Sequence, residues 1–289
     1  MALTLKEVGM IISGIADEGA EGLKRQIELQ KMLGWQNIEL RLIDKTNISE
    51  IGDNSFERAF ALLQEENMGV VCFSSPIANW ARPVTSDFSR DVDDLKRSAV
   101  RMRRLGTEYI RIMSYPNDGL EQREWRNEVF RRLRELTRIA AGENITLVHE
   151  NCSGWGGRSP ENLRILLEEM DSPNFQIVFD TGNPVAEGHP REESWSFYEA
   201  ARPFIKHIHI KDCKLSEDGE VVYTYPAAGW SMVREIIADA LAGGYKGAFS
   251  IEPHLAVQIH LGSDLAAGVN PEEVYLEYGR RTNKLLEEL

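Results

Sequence analysis

Short runs of apolar and β-branched residues alternate along the whole chain with longer segments that carry apolar residues at helical spacing. In two of these longer segments the apolar residues recur at steps of three and four, which places them on one face of a helix. The two stripes are Phe88, Val92, Leu95, Ala99 and Met102, and Trp125, Val129, Leu133, Leu136 and Ala140. Helix starts are indicated where a polar N-cap residue precedes a proline, at Ser159-Pro160 and at Asn270-Pro271. The pattern predicts an α/β fold.

Eight runs are predicted to be strands. They are Val8 to Gly14, Asn37 to Leu42, Gly69 to Ser75, Tyr109 to Tyr115, Thr146 to Asn151, Phe175 to Asp180, Ile205 to Lys211 and Ala248 to Pro253. The first turn, Gly14 to Gly19, lacks the GxGxxG spacing of a dinucleotide-binding fold. Eight successive strand–helix units therefore predict a closed (β/α)8 TIM barrel, with residues 1–289 as a single domain and the segment from Pro271 to about Leu286 as the eighth helix.

Composition and charge narrow the possible partners. The 289-residue chain has 33 Lys and Arg against 46 Asp and Glu, which gives a net charge of −13. Such a surface repels phosphate backbones and anionic lipids, so we expect no nucleic-acid and no membrane partner. No apolar run approaches the ~20 residues of a membrane-spanning helix, and the N-terminus lacks the pattern of a signal peptide. The three cysteines, Cys72, Cys152 and Cys213, suit free thiols in a reducing cytoplasm.

Polar residues end four consecutive predicted strands. The fifth strand ends in His149-Glu150-Asn151, the sixth in Asp180-Thr181-Gly182-Asn183, the seventh carries His207 to Asp212, and the eighth ends in Glu252-Pro253-His254. An acidic residue after a strand commonly caps the next helix. Several carboxylates near one barrel axis, however, are costly to bury without a cation. We therefore predict a metal site whose carboxylates and imidazole suit Mn²⁺, Mg²⁺, Co²⁺ or Zn²⁺.

Together with Asn37-Ile38-Glu39-Leu40-Arg41 on the second strand, these strand ends resemble the xylose-isomerase-like TIM barrels over nearly the whole chain. That superfamily includes keto-sugar epimerases, hydroxypyruvate isomerases, inosose dehydratases and AP endonucleases. The resemblance implies that Glu150, Asp180, His209 and Glu252 bind one divalent ion, which we expect to be Mn²⁺. It also implies that Glu150 and Glu252 act as the acid/base pair, and that the protein is a homo-oligomer.

A metal that polarises a carbonyl acidifies the neighbouring C–H bond and stabilises the enediolate formed on proton loss. If one glutamate removes the proton and the other returns it, the reaction is isomerisation or epimerisation of a keto-sugar or polyol. A first alternative is a lyase that eliminates a group from an inosose or a 3-keto-glycoside, with His149 as base if the strand end twists it inward. A second alternative is a catalytically silent barrel that binds sugars.

Five further residues are candidates for substrate contacts. Many relatives have a histidine where this chain has Asn183, and an amide there can bind a sugar hydroxyl but is a poor ligand for a second metal, which argues against a nuclease. Alternation turns Lys211 inward, either to steady an oxyanion or to pair with a carboxylate. His254, two residues beyond the last strand-end glutamate, can contact substrate or cap a helix. Trp155 and Trp80 can stack on a sugar ring or serve as packing anchors.

Overall fold

The computed structural model describes residues 9–256 and 269–289. Eight parallel strands form one sheet whose neighbours run in the order β1-β8-β7-β6-β5-β4-β3-β2. Their bounds are β1 Ile11–Gly14, β2 Asn37–Leu40, β3 Gly69–Ser74, β4 Tyr109–Ser114, β5 Thr146–Gly154, β6 Phe175–Asp180, β7 Ile205–Ile210 and β8 Ala248–Ile251. A parallel bridge between Ile15 and Glu39 joins the two edge strands, so the barrel is nearly closed.

Helices follow the strands and cover the outside of the barrel. They are α1 Leu23–Met32, α2 Asp53–Glu65, α3 Phe88–Leu105, α4 Gln122–Gly142, α5 Pro160–Met170, α6 Asn183–Ala186, α7 Arg191–Ala201, α8 Val233–Ala242 and α9 Pro271–Glu287. The predicted (β/α)8 fold is confirmed, and each predicted strand overlaps the observed one. The predicted start of the first strand, Val8, lies outside the described residues.

The predicted helix starts and apolar stripes have direct structural counterparts. The Ser159 side chain accepts a hydrogen bond from the backbone N–H of Asn162, and the Asn270 side chain accepts one from that of Glu272, each at 3.1 Å. These contacts satisfy first-turn N–H groups that have no partner within the helix. All five residues of the α4 stripe are buried. None of the helices within residues 9–256 and 269–289 is long and apolar enough to cross a membrane.

Two short antiparallel hairpins follow barrel strands at their carboxyl ends. One pairs Leu42–Ile43 with Thr46–Asn47 after β2, and the other pairs Asp212–Leu215 with Val221–Thr224 after β7. The first hairpin explains why β2 ends two residues before its predicted end at Leu42. The hairpins bring additional side chains to the end of the barrel where the carboxyl ends of the strands lie, which is the end that carries active sites in this fold.

Candidate metal and substrate site

Four ligand-type side chains converge at the carboxyl end of the barrel. Glu150 lies on β5, Asp180 ends β6, His209 lies on β7 and Glu252 follows β8 directly. All four are buried, and one potential ligand atom from each lies within 4.8 Å of the other three. Nδ1 of His209 lies 4.0, 3.9 and 3.6 Å from carboxylate oxygens of Glu150, Asp180 and Glu252, respectively. The structure thus brings together the four residues that the resemblance implies as metal ligands.

A fifth carboxylate, Glu39 on β2, orients the His209 ring. His209 Nε2 lies 3.0 Å from Oε1 of Glu39, and the neighbouring His207 contacts the other oxygen of Glu39 at 2.7 Å. Burial disfavours a charged imidazole, but the Glu39 carboxylate outweighs burial and raises the pKa of His209 well above its ordinary value. Nδ1 of His209 has no hydrogen-bond partner in the described part of the chain. A positive charge is therefore favoured there, either as a proton or as a metal ion that replaces it.

Asp180 is held by the start of the following helix. Its Oδ1 accepts hydrogen bonds from the backbone N–H groups of Gly182 and Asn183, both at 2.8 Å. Its Oδ2 faces the cluster and lies 2.9 Å from Nζ of Lys211. Burial raises the pKa of Asp180 to about 6 despite the nearby lysine. One oxygen is thus fixed by the backbone, and the other remains available to a cation.

The two glutamates are each held by an arginine and one other side chain. Glu150 accepts from Arg111 Nη1 at 2.8 Å and from the Asn183 side chain at 2.9 Å. Glu252 accepts from Arg41 Nη1 at 2.8 Å and from Lys211 Nζ at 3.1 Å. Burial alone would raise both pKa values, but Arg111 lowers the pKa of Glu150, and Lys211 and other neighbours lower that of Glu252 well below its usual range. Both glutamates are therefore ionised at neutral pH.

The charges around this cluster fit a divalent cation. Buried carboxylates outnumber the fixed buried cations among the interacting groups. The carboxylates are Asp17, Glu18, Glu39, Glu150, Asp180 and Glu252, and the cations are Arg41, Arg111 and Lys211. A cation with oxygen and nitrogen ligands would balance the surplus of negative charge. It would also bind Nδ1 of His209, which has no hydrogen-bond partner among the described residues. The residues that are present therefore fit such an ion.

A cavity of about 350 Å³ opens onto this cluster. Its lining includes Glu150, Glu252, Arg41, Arg111, Asn79 and Trp80. Trp80 is 44% exposed. A cavity of this size holds a small molecule of sugar dimensions, so Trp80 is placed where an aromatic ring could stack on a ligand.

Two candidate residues, Trp155 and His149, lie away from the ligand cluster as well as from this cavity. Trp155 is buried and packs edge-on against Phe130 of α4, with ring centroids 5.0 Å apart, so it is a packing anchor. His149 stacks on Phe175, with ring centroids 6.0 Å apart, on the face of β5 opposite Glu150. Burial lowers the pKa of His149 to about 4, and neither ring nitrogen has a hydrogen-bond partner among the described residues. The structure does not bring either side chain to the ligand cluster.

His254 contacts the cluster through another carboxylate. Its backbone N–H donates to Glu18 Oε2 at 2.7 Å, and its Nδ1 lies 3.0 Å from Glu18 Oε1. Glu18 also pairs with Arg41, which binds Glu252. The ring centroid of His254 lies 5.1 Å from that of Tyr223 on the second hairpin. His254 is therefore a neighbour of the site, and its immediate partner is Glu18.

Sequence reasoning assigned no role to Glu39, Arg41 or Arg111, although all three contact the implied metal ligands. The sequence does mark Arg111 and Glu39 as unusual. Arg111 is the only charged residue in the strand Tyr109–Ser114, and Glu39 is the only charged residue in the strand Asn37–Leu40. A charged side chain inside an otherwise apolar barrel strand requires a partner of opposite charge. That rule indicates a buried ion pair but does not identify the partner.

The chain matches a known protein family and a curated relative. The family model described as xylose isomerase-like TIM barrel matches residues 27–285. The chain is 25% identical over 134 residues to an inosose dehydratase of Geobacillus thermodenitrificans, and this alignment covers 42% of the chain and 44% of that protein. The chain thus spans less than half the length of the curated relative.

Solved structures share the fold. The zinc-bound structure of the IOLI protein has a TM-score of 0.72 at 18% identity, covering 96% of this chain and 99% of that one. A D-allulose 3-epimerase from Methylomonas sp., in complex with D-allulose, has a TM-score of 0.69 at 18% identity, covering 95% and 96% of the two chains. At these identities the likeness shows the fold alone.

Proposed function

Since the chain belongs to the xylose isomerase-like TIM barrel family, we propose that it is a divalent-metal-dependent enzyme that transfers a proton next to the carbonyl of a keto-sugar or polyol. The favoured outcome is isomerisation or epimerisation. The observation that carries the proposal is the pair of ionised glutamates, Glu150 and Glu252, which open into one cavity and share one candidate metal cluster. The choice of Mn²⁺, rather than another divalent ion, remains a prediction, as do a homo-oligomeric state and a cytoplasmic location.

Glu150, Asp180, His209 and Glu252 would hold the ion, which supplies polarisation of the substrate carbonyl when bound. Each glutamate is anchored on one oxygen by an arginine, Glu150 by Arg111 and Glu252 by Arg41. Arg111 keeps Glu150 ionised and Lys211 keeps Glu252 ionised. The ionised carboxylate is the form that can accept a proton from a substrate carbon. One glutamate removes the proton and the other returns it to the opposite face or to the adjacent carbon.

Two other residues support this proton transfer. Lys211 sits between Asp180 and Glu252, and its ammonium group offsets their negative charge. The carboxylates outweigh burial and raise the pKa of Lys211 well above its ordinary value, so the lysine stays charged. Asn183 donates to Glu150 and leaves its amide oxygen to accept from a substrate hydroxyl. The side chains provide fixed charges and hydrogen bonds before the substrate arrives.

Elimination of water or of a glycosidic group is the second candidate function. The relationship to an inosose dehydratase favours it, and an elimination begins with the same removal of a proton next to a carbonyl. The two outcomes differ in mass, since isomerisation conserves the mass of the substrate and elimination does not. Incubation of keto-sugars, inososes and 3-keto-glycosides with the metal-loaded protein in D₂O, followed by mass spectrometry, therefore distinguishes them.

The first test of the proposal is elemental analysis of the dialysed protein beside the variant Asp180→Ala. We expect about one divalent transition-metal ion per chain in the wild type and none in the variant, because Asp180 contributes a buried ligand oxygen. Asp171→Asn, at an exposed position after α5, is the matched control and should keep the ion. A wild-type protein that remains metal-free after reloading with Mn²⁺, Co²⁺ or Zn²⁺ would contradict the proposal and support a catalytically silent barrel.

The variant His149→Leu tests whether His149 is the base of a lyase. Because both ring nitrogens are buried without partners, we expect the free energy of unfolding to stay the same or rise by about 1 kcal/mol when a leucine replaces them. Metal content and turnover should stay within about twofold of the wild type, since the ring stacks on Phe175. Urea unfolding and steady-state kinetics measure both quantities. A large loss of turnover at full metal content would instead assign His149 to catalysis.

A further inference from the structure

Arg111 is a buried cation whose hydrogen-bonding capacity is only partly used. It lies in the middle of β4 with its side chain 7% exposed, and it lines the cavity beside Glu150. Nη1 donates to Glu150 at 2.8 Å and Nη2 to the carbonyl oxygen of Ser75 at 3.1 Å. A guanidinium carries five N–H groups. Within the described ranges, Nε has no hydrogen-bond partner.

Arg41, the other cavity arginine, differs in this respect. Its Nε donates to Asp17, its Nη1 to Glu252 and its Nη2 to Glu18, so all three of its nitrogens are engaged with carboxylates. The two arginines are buried to the same degree and each holds one of the two glutamates. A buried guanidinium N–H group without an acceptor lowers stability, and a water molecule or a ligand that supplies the acceptor removes that cost.

We propose that Arg111 binds the substrate directly: its unused N–H groups donate to neighbouring oxygen atoms of the keto-polyol while Nη1 continues to hold Glu150. This inference rests on the proposed function. The planar guanidinium presents parallel donors, which match a pair of oxygens on adjacent carbons or the two oxygens of a carboxylate. In both cases the ligand chemistry is a pair of closely spaced oxygens beside Glu150.

The position of Arg111 also gives it a role in the reaction. Removal of a proton next to a carbonyl places negative charge on the substrate oxygens, and a fixed cation in a buried site stabilises that charge. A guanidinium group does not lose its proton in a protein, so Arg111 stays cationic beside Glu150. A group that only kept Glu150 ionised would need one N–H and a positive charge, which a lysine also provides.

The test compares Arg111→Lys and Arg111→Ala with the wild type, all loaded with metal, using D-allulose and an inosose as probes. For Arg111→Lys we expect one metal per chain, binding of the probe weakened about 10-fold by calorimetry, and kcat/KM lowered about 100-fold. Adding guanidinium ion should restore part of the activity of Arg111→Ala, and ethylammonium should not, because only the former reproduces the planar donors. Arg138→Lys, exposed on the outer face of α4, is the matched control.

The outcomes show whether Arg111 binds the substrate or acts only on Glu150. If Arg111→Lys binds and turns over the probe as the wild type does, or if the two cations rescue Arg111→Ala equally, Arg111 acts only on Glu150 and the proposal is overturned. If a metal-loaded wild-type protein neither binds nor exchanges a proton of either probe, the proposed function fails and the Arg111 assignment fails with it. A carboxylate-bearing analogue that binds more tightly than the neutral polyol of the same carbon skeleton would identify the oxygen pair as a carboxylate.

Discussion

Replacing Glu150 or Glu252 with glutamine is expected to lower kcat by about 10²- to 10⁴-fold while the protein still binds one divalent ion. Glutamine keeps a carbonyl oxygen at the ligand position, so the coordination number is preserved. It cannot accept a proton from a substrate carbon. Both carboxylates are ionised in the wild type, Glu150 through Arg111 and Glu252 through Lys211 and neighbouring histidines. Each variant therefore removes a functioning base and not an already protonated acid.

Exchange experiments in D₂O separate the roles of the two glutamates. If each serves one face of the substrate, each single variant still exchanges the proton on the face served by the remaining glutamate, but neither converts one epimer to the other. Glu217→Gln, in the exposed turn of the second hairpin, controls for the loss of a negative charge. Wild-type turnover in either site variant would remove that residue from proton transfer, and loss of metal would assign it to ligation alone.

The parts of the site that sequence could predict are those that follow from strand direction. Glu150, Asp180 and Glu252 each end an apolar run, and the carboxyl ends of parallel barrel strands meet at one end of the molecule. Once the eight-strand pattern is recognised, the convergence of these residues follows from geometry. The same reasoning by alternation turns His149 away from Glu150, which is where the structure places it.

The parts that sequence could not predict depend on long-range partners or on loop paths. Arg41 and Glu252 are 211 positions apart, and nothing local specifies that they pair. Trp155 faces α4 because the loop that carries it turns back against β5. A Cβ atom at Gly157 would lie 1.5 Å from the carbonyl oxygen of Cys152. The φ angle of Gly154 is 106°. Only glycine tolerates such contact and such a dihedral angle. The glycines in the sequence show that this loop can adopt an unusual path, but they do not specify which path it takes.

The loop that carries Trp80 is held by a buried ion network around Arg82. The Arg82 side chain is 4% exposed and binds Asp91 and Asp94 of α3, which are equally buried, and it also donates to Glu50 at 2.9 Å. The Tyr115 hydroxyl donates to Asp91 at 2.6 Å. Arg82 lies two residues beyond Trp80, so this network holds the backbone next to the indole that lines the cavity. Removing the arginine would leave Asp91 without a cation among the described residues, and Asp94 with only the partly exposed Arg97.

Arg82→Met is therefore expected to lower the free energy of unfolding by about 3–5 kcal/mol. Arg90→Met is the matched control, because Arg90 binds the same Glu50 but is 62% exposed, and it should cost less than about 1 kcal/mol. Urea unfolding of both variants measures the difference, and equal small losses would contradict it.

The pH dependence of Arg82→Met gives a second measurement with a defined sign. Burial already raises the pKa of Asp94, and Arg82 opposes that rise. Without Arg82, burial should raise the pKa of Asp94 further, so that Asp94 takes up a proton in the folded state at a higher pH than in the unfolded state. A folded protein that binds more protons than the unfolded chain loses stability as the pH rises. The stability deficit of Arg82→Met should therefore be smaller at pH 5 than at pH 8, and that of Arg90→Met should change little. A deficit independent of pH would mean that the lost packing of the arginine side chain, and not the unpaired buried charge, accounts for the loss.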